Sequence, residues 1–531
     1  MNPIIVIMLI GFFALILGVG LYSRRHATDV NGFVLGGRSV GPWLTAFAFG
    51  TSYFSAVIFV GYAGQFGWRF GMASTWVGLG NAFIGSLLPW AILGRRTRIM
   101  TQHLNSRTMP DFFGLRFRSN ALKVVAAIIV FVFLIPYTAS LFNGLSRLFT
   151  MAFPTIDYAW CVIVMAVLTG IYVIVGGYMA TAINDFIQGI IMIVGIIAVI
   201  AAVLKGQGGL TEAIAKLSQV ESTAASGGTQ QLGTFTSFLG ADPLFLAFVV
   251  ILTSLGTWGL PQMVGKFYAI KDEDSIKKGT VISTVFAIIV AGGCYFLGGF
   301  GRLFSDSVTY QADGVTPVFD SIIPTMLSGL APALIGVVLV LVLSASMSTL
   351  SSLVLTSGST ITLDLIVPAA KKPLSERKKM LIMRLFVAFF IVVSAVIAIV
   401  QARSNVMFIA QLMGVSWGAL AGAFLAPFLY GLFWKRTTRT ACWTSFAVGV
   451  VLSLVQLVKS MAGFSFGVDF LDNMLFKTSI HSGSFAMLLG LVIVPIVSLL
   501  TRVSDKAAVD RMFSCYNEKI SVPVTKALGD S

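Results

Sequence analysis

The sequence contains few charged residues. Asp, Glu, Lys and Arg make up only 11% of its 531 residues, whereas a typical soluble domain carries about 25%. Hydrophobic residues account for 57% of the chain. Uncharged runs of about 20 residues recur along the whole length, and a run of that length can cross a bilayer as a helix. The composition therefore argues against a soluble protein and predicts an all-α, polytopic membrane protein.

Cysteine and histidine are also scarce. The four cysteines and three histidines show neither metal-ligand spacing nor a pairing pattern, and all three histidines fall in predicted loops: Cys161, Cys294, Cys442, Cys515, His26, His103 and His481. No nucleophile–base pair or metal cluster is visible, so the chain is not expected to be an enzyme. The net charge of +15 lies in short loops between hydrophobic runs, which indicates membrane topology rather than nucleic-acid binding.

The hydrophobic runs predict thirteen spans, near residues 3–22, 43–69, 73–94, 120–149, 156–176, 182–204, 239–264, 279–302, 329–356, 381–401, 406–433, 441–459 and 484–501. Alternate loops are rich in Lys and Arg, beginning with Arg24 and Arg25 after the first span. This alternation predicts a multi-pass protein of the cell membrane, with its N-terminus outside and its C-terminus cytoplasmic.

The spans divide into segments. A leading helix and loop (1–42) precede two blocks of five spans each, 43–204 and 239–433, separated by an extracellular loop (205–238) with a short helix near 210–217. Two additional spans (434–501) and a cytoplasmic tail (502–531) follow. Because five is an odd number, the second block enters the membrane in the opposite orientation, as an inverted repeat requires.

The first span of each block is expected to be discontinuous. Span 43–69 contains Gly50, Thr51, Ser52 and Ser55, and span 239–264 contains Pro261, which cannot donate to a helical ladder. Broken helices at membrane depth are tolerated where they line a cavity or are buried in protein. The alternative is that small residues only allow close helix packing. Breaks at matching positions favour a substrate site between the two repeats.

A polar stretch, residues 344–352, interrupts the apolar span 329–356. Ala345, Ser348 and Thr349 share one helical face and offer a carbonyl and two hydroxyls. Together with residues 50–55, these oxygens predict a sodium site. No Asp, Glu or His lies in the middle of a predicted span, which favours sodium over proton coupling. Lys266 is assigned to the cytoplasmic end of its span.

Five motifs together resemble the solute:sodium symporter family. They are residues 33–39 (FVLGGRS), 109–112 (MPDF), 176–180 (GGYMA), 184–188 (NDFIQ) and 345–350 (ASMSTL). The resemblance covers roughly residues 30–505 and is nearest in pattern to the proline and pantothenate symporters. It implies a LeuT-type fold, a 5+5 inverted repeat whose first and sixth core helices are discontinuous.

The resemblance also implies a sodium site between the first and eighth core helices. The matching positions are the carbonyls of Thr51, Phe54 and Ala345 and the hydroxyls of Ser348 and Thr349. The competing interpretation of the two hydroxyls is back-bonding within their own helix. Asp185 matches an acidic residue near the cytoplasmic exit for sodium, although it could also be an ordinary charged helix end.

The substrate is less defined by the resemblance. Tyr53 stands where the proline symporter has Asp, Thr253 and Thr257 stand where it has aromatic residues, and Ile58 stands where sugar symporters have Gln. These departures disfavour proline and hexoses. Tyr137 matches a substrate-side tyrosine; its alternative role is core packing, and that of Gln411 is a helix–helix hydrogen bond. The candidate substrate-binding residues are Tyr53, Val57, Tyr137, Thr253, Thr257, Trp258 and Gln411.

These features predict a secondary active transporter that couples inward sodium flow to uptake of a small organic solute by alternating access. The solute is expected to be a carboxylate or an amino acid. The expected partners are the solute, sodium and the lipid bilayer, with neither nucleic acid nor an obligate protein partner. The alternatives are a non-transporting membrane solute sensor and a proton-coupled symporter of the same fold. The tail 502–531 is too short for a signalling kinase domain.

Overall fold

The computed structural model describes residues 3–23, 29–222, 231–311, 314–404, 409–503 and 505–517. Helices dominate these residues, and no strand occurs among them beyond isolated bridges. The α-helices, in chain order, are α1 Pro3–Ser23, α2 Val30–Leu35, α3 Pro42–Tyr53, α4 Ala63–Phe70, α5 Thr75–Ala82, α6 Leu88–His103, α7 Met109–Arg116, α8 Asn120–Ala152, α9 Tyr158–Gly206, α10 Leu210–Ser218, α11 Pro243–Gly259, α12 Pro261–Ala269, α13 Glu273–Ala287, α14 Gly293–Gly298, α15 Ile322–Ser328, α16 Pro332–Thr360, α17 Val367–Ala369, α18 Glu376–Ser404, α19 Ile409–Phe433, α20 Arg439–Ala462, α21 Ser479–Leu500 and α22 Lys506–Ser514.

Eleven helical stretches among these residues are long and apolar enough to cross a membrane. One of them, Tyr158–Gly206, is 49 residues long, about twice what a bilayer requires. Gly177 interrupts it with a φ of +55°, a conformation that side chains disfavour and glycine permits. This glycine lies at the turn that the sequence predicts between two spans. The count of thirteen spans and the inverted repeat remain predictions.

Both predicted helix interruptions are present. α3 ends at Tyr53, where Phe54 becomes extended (φ −93°, ψ 110°), and the chain resumes in a wider π-helical turn at Val57–Tyr62. α11 ends at Gly259, where Leu260 is extended (φ −79°, ψ 123°), and Pro261 begins α12. Proline suits a first helical position because its missing N–H is not needed there.

α16 lies at the centre of the bundle, in contact with α1, α3, α8, α9 and α18. Its serine-rich middle is buried on every side, including Ser344, Ser348, Thr349 and Ser352. Small side chains let neighbouring helices approach closely in membranes. This packing brings the polar stretch of α16 against the last turn of α3.

The structure corrects two placements made from charge and polarity. His481 is not in a loop but in the first turn of α21, buried and stacked on Phe245 with ring centroids 4.9 Å apart. Lys266 lies within α12 and is 3% exposed. Asp364, which no sequence prediction placed, is buried in a π-helical turn that continues α16 and accepts a hydrogen bond from Thr108 (2.6 Å). Sequence alone placed His481 in a loop and Lys266 at the end of a span, because the residues that pack against them come from distant segments of the chain.

The segment between α9 and α11 contains the predicted short helix, which is α10, Leu210–Ser218. Residues 223–230 of this segment are outside the described residues, as are Arg24, Arg25, His26 and the tail from residue 518.

The contact between α4 and α14 yields a stability prediction. A methyl group at Gly67 would lie 2.0 Å from the carbonyl oxygen of Gly298, a clash with backbone that cannot rotate away. We expect Gly67→Ala to destabilise the protein by about 1–3 kcal/mol, measured as a lower midpoint of thermal unfolding in detergent. Gly11→Ala is the control, since nothing lies within 4 Å of its added methyl group. Equal midpoints for the two variants would contradict this packing.

Candidate functional site

Two hydroxyls on α16 converge on one carbonyl of α3. Ser348 Oγ and Thr349 Oγ1 each lie 3.1 Å from the carbonyl oxygen of Thr51. The same hydroxyls lie 3.1 and 3.0 Å from the carbonyl oxygen of Ala345. Back-bonding explains the contacts with Ala345 but not those with Thr51, which join two helices. Four of the five predicted sodium ligands therefore form one buried cluster of neutral oxygens.

The break in α3 makes the Thr51 carbonyl available. The last four carbonyls of a helix have no N–H partner in their own helix, and α3 ends two residues after Thr51. Phe54, the fifth predicted ligand, is the residue at which the backbone becomes extended. Hydroxyl and carbonyl oxygens of this kind replace the hydration shell of a hard cation. The cluster can therefore hold a small cation without a carboxylate.

A polar chain continues from this cluster along α16. Ser352 follows Ser348 by four residues and so lies on the same face, and its hydroxyl is 2.7 Å from that of Ser52. Lys266 Nζ donates to Ser352 Oγ (3.0 Å) and lies 3.7 Å from Asp185 Oδ2. The predicted exit residue Asp185 is thus linked to the cluster through buried side chains.

The chain of polar groups ends at a cavity. Three connections that carry basic residues meet here, around Arg38, Arg107 and Lys271, and we call this end of the bundle the basic end. The cavity has a volume of about 50 Å³, which suits a few water molecules or an ion and is far below the several hundred Å³ of an organic-ligand pocket. Its lining includes Arg107, Thr108, Tyr178, Gln262, Lys266 and Ser352.

Arg38, from the motif at residues 33–39, holds the basic end together. Its guanidinium donates to the carbonyls of Ser106 (2.5 Å), Thr101 (3.3 Å) and Tyr268 (3.3 Å). Burial lowers the pKa of Arg38 to about 10, so it remains charged at neutral pH. One side chain therefore joins the connection before α3 to the end of α6, to the connection after α6 and to the last turn of α12.

Aromatic side chains gather beside the break in α3. The ring of Tyr53 stacks on Trp417 of α19 with centroids 5.8 Å apart, and Tyr137 of α8 meets Trp417 edge-on at 5.9 Å. The Tyr137 hydroxyl faces the Ser55 hydroxyl and the Trp417 indole N–H, and none of these three buried groups makes a hydrogen bond of normal geometry among the described residues. Buried polar groups normally have partners. These three groups therefore form a buried polar cluster whose hydrogen-bonding capacity is incompletely used.

The side chains of the remaining predicted substrate residues make other contacts, although the Thr253 backbone adjoins Tyr53. Thr257 Oγ1 donates to the carbonyl of Gly85 (2.8 Å) and Trp258 Nε1 to that of Ile84 (2.9 Å), which fastens α11 to the turn between α5 and α6. Thr253 Oγ1 donates to the carbonyl of Val249 (2.8 Å). Val57 is buried directly after the break in α3, and Gln411 is half-buried in α19.

Sequence reasoning missed several residues of this region. Trp417 could have been noticed because membrane tryptophans favour the interfaces, and this one lies within an uncharged span beside Ser416. Ser55 lies in the same interruption as Thr51. Lys266 was missed because a lysine shortly after an apolar span resembles a loop residue, whereas α12 continues to Ala269 and buries it.

A bundle with two interrupted helices and a buried cluster of neutral oxygens at one interruption is typical of a membrane-embedded, ion-coupled transporter. Residues 33–449 match the model of the sodium:solute symporter family, and the chain belongs to that family. Sodium use, a small organic solute and the absence of enzymatic activity follow from this membership. The protein is therefore a multi-pass membrane protein that performs sodium-coupled secondary transport.

Curated relatives match most of the length of this chain. The osmoregulated proline transporter OpuE of Bacillus subtilis (strain 168) is 28% identical over 457 residues, which is 85% of this chain and 88% of the relative. The sodium/proline symporter of Salmonella typhimurium (strain LT2) is 28% identical over 483 residues, 88% of this chain and 91% of the relative. A solved sodium-coupled sialic acid symporter shares the fold, with 17% identity, a TM-score of 0.73, and coverage of 94% of this chain and 98% of the other.

The bond between the two broken helices can be tested directly. Tyr53 OH donates to the carbonyl of Thr253 at 2.5 Å in a fully buried setting. We expect Tyr53→Phe to destabilise the protein by about 1 kcal/mol, because the hydroxyl bond is lost where water does not replace it. Tyr310→Phe is the control, since its bond to the Ser305 carbonyl is exposed. Thermal unfolding in detergent should show a lower midpoint for Tyr53→Phe alone.

Proposed function

We propose that the protein takes up a small carboxylate or amino acid, driven by sodium that binds between α3 and α16. The observation that carries this proposal is the convergence of the Ser348 and Thr349 hydroxyls on the Thr51 carbonyl. An ion held there by Thr51, Phe54, Ala345, Ser348 and Thr349 bridges the broken helix and the central helix.

Sodium binding couples to conformation through this bridge. The ion stabilises whichever arrangement keeps α3 and α16 together, and it shifts the equilibrium by its difference in affinity between arrangements. We assign the bridged arrangement to the state open to the outside. Solute then binds beside the same break, and the bundle moves as a rigid body to open the opposite side.

The solute site that we propose lies around Tyr53, Tyr137 and Trp417, with Ser55 at its edge. Its polar atoms are hydroxyls and an indole N–H, which can donate to a carboxylate. The interrupted helices add backbone N–H groups and the positive ends of helix dipoles nearby. The curated relatives named proline transporters support an amino acid. Val57, Thr253, Thr257, Trp258 and Gln411 remain candidate contributors.

We further propose that the basic end faces the cytoplasm, with the N-terminus outside, in the cell membrane. Basic loops are retained on the cytoplasmic side, and the basic end carries Arg38, Arg107 and Lys271. The cavity beside Lys266 and Asp185 would then be the route by which sodium leaves. Asp185 would act at this exit.

The test is uptake into proteoliposomes under an imposed inward sodium gradient or, separately, a proton gradient. The panel comprises proline and other amino acids, short monocarboxylates, pantothenate and a hexose. We expect sodium-driven accumulation of one carboxylate or amino acid. Accumulation on the proton gradient alone would assign the driving role to buried carboxylates such as Asp185 and Asp364. Saturable binding without accumulation would instead indicate a sensor.

The sodium assignment predicts the behaviour of a double variant. Ser348→Ala with Thr349→Val removes both hydroxyls, and we expect the sodium concentration for half-maximal uptake to rise at least about tenfold, equivalent to about 1.4 kcal/mol. Thr362→Val is the matched control, because its buried hydroxyl only bonds to the carbonyl of Gly358 in its own helix. Unchanged sodium dependence in the double variant would place the ion elsewhere.

A further inference from the structure

Lys266 is a buried cation that the sodium cluster itself does not require. Its side chain is 4% exposed and that of Asp185 is fully buried, with 3.7 Å between Nζ and Oδ2. Burying two charges is costly unless they compensate one another. Replacing such a pair by apolar residues is often neutral or stabilising, so stability alone does not account for it.

The position of the ammonium suggests a role in ion movement. Lys266 Nζ donates to Ser352 Oγ, which contacts Ser52, the neighbour of Thr51. On its other side Lys266 lines the cavity at the basic end. The ammonium therefore lies between the sodium cluster and the cavity, on the continuous polar route that joins them.

The Asp185 carboxylate lies close to Lys266, but the ammonium does not use its full acceptor capacity. Neither of its oxygens accepts a hydrogen bond within the geometric limits from any residue that the structure describes. The carboxylate thus retains acceptor capacity for an ion. A sodium ion that moves from the cluster toward the cavity meets a carboxylate that already has a cation 3.7 Å away.

We propose that the Lys266 ammonium is a tethered competitor of sodium for Asp185, which keeps sodium affinity low at the exit and promotes release of the ion. When sodium approaches, the two cations share the carboxylate. When sodium leaves, the ammonium restores neutrality without a second ion. This inference rests on the proposed sodium site between α3 and α16.

Two substitutions separate the charge of Lys266 from its hydrogen bond. Lys266→Gln removes the charge but keeps a donor for Ser352, whereas Lys266→Arg keeps the charge. Purified full-length protein in detergent is titrated with sodium against potassium, and the midpoint of thermal unfolding reports binding. We expect Lys266→Gln to require about tenfold less sodium for half-maximal stabilisation, and Lys266→Arg to resemble the unsubstituted protein.

A purely structural role of Lys266 would change the unfolding midpoint measured without sodium. Competition between Lys266 and sodium for Asp185 would change the sodium concentration that gives half-maximal stabilisation. Thr362→Val is the control and should leave the half-saturating concentration unchanged, because its buried hydroxyl bonds to the Gly358 carbonyl and lies outside the route. An unsubstituted protein with no sodium-specific stabilisation would overturn the sodium site itself. Sodium-specific stabilisation with equal half-saturation in Lys266→Gln would overturn only the role of Lys266.

If Lys266→Gln alone does not fold, the double variant Asp185→Asn with Lys266→Gln, which lacks both charges, still tests the proposal. Asp185→Asn leaves the ammonium uncompensated beside the route, so the half-saturating sodium concentration should rise. Adding Lys266→Gln to Asp185→Asn should bring it back down, because the repelling cation is gone. Identical sodium titrations for Asp185→Asn with and without Lys266→Gln would contradict the proposal.

Discussion

The main constraint on this structure is that a polar backbone group inside a membrane needs a hydrogen-bond partner within the protein. Where α3 stops at Tyr53, the carbonyl of Thr51 is left without an N–H partner in its own helix. The hydroxyls of Ser348 and Thr349 meet it from α16. The interaction that satisfies this carbonyl also brings together the neutral oxygens that we propose as sodium ligands.

The same constraint explains how the two broken helices are held together. Tyr53 at the end of α3 donates to the carbonyl of Thr253 in α11, shortly before the second break. Trp417 packs against both Tyr53 and Tyr137, so one aromatic side chain of α19 connects three helices. A solute that contacts these three rings would therefore touch α3, α8 and α19 together.

Buried charged side chains at the basic end also need partners within the protein. Each buried ionic side chain there has partners from a distant segment: Asp364 contacts Thr108 and Lys123, and Lys266 faces Asp185. Arg38 satisfies its guanidinium with three backbone carbonyls. These contacts join α7, α8, α9, α12 and α16 at the end where we propose that sodium leaves. A change in any one pairing would alter the packing of at least two helices.

Local sequence by itself determined the membrane class, the two interruptions and the shared face of Ala345, Ser348 and Thr349, because hydropathy, proline geometry and helical periodicity act over a few residues. The resemblance of five motifs to a symporter family added the pairing of that face with Thr51. Only the tertiary structure decided that Lys266 is buried against Asp185, that His481 stacks on Phe245, and that Trp417 packs against Tyr53 and Tyr137. Those contacts join residues far apart in the chain, and no local pattern encodes which polar side chain will find a partner across the bundle.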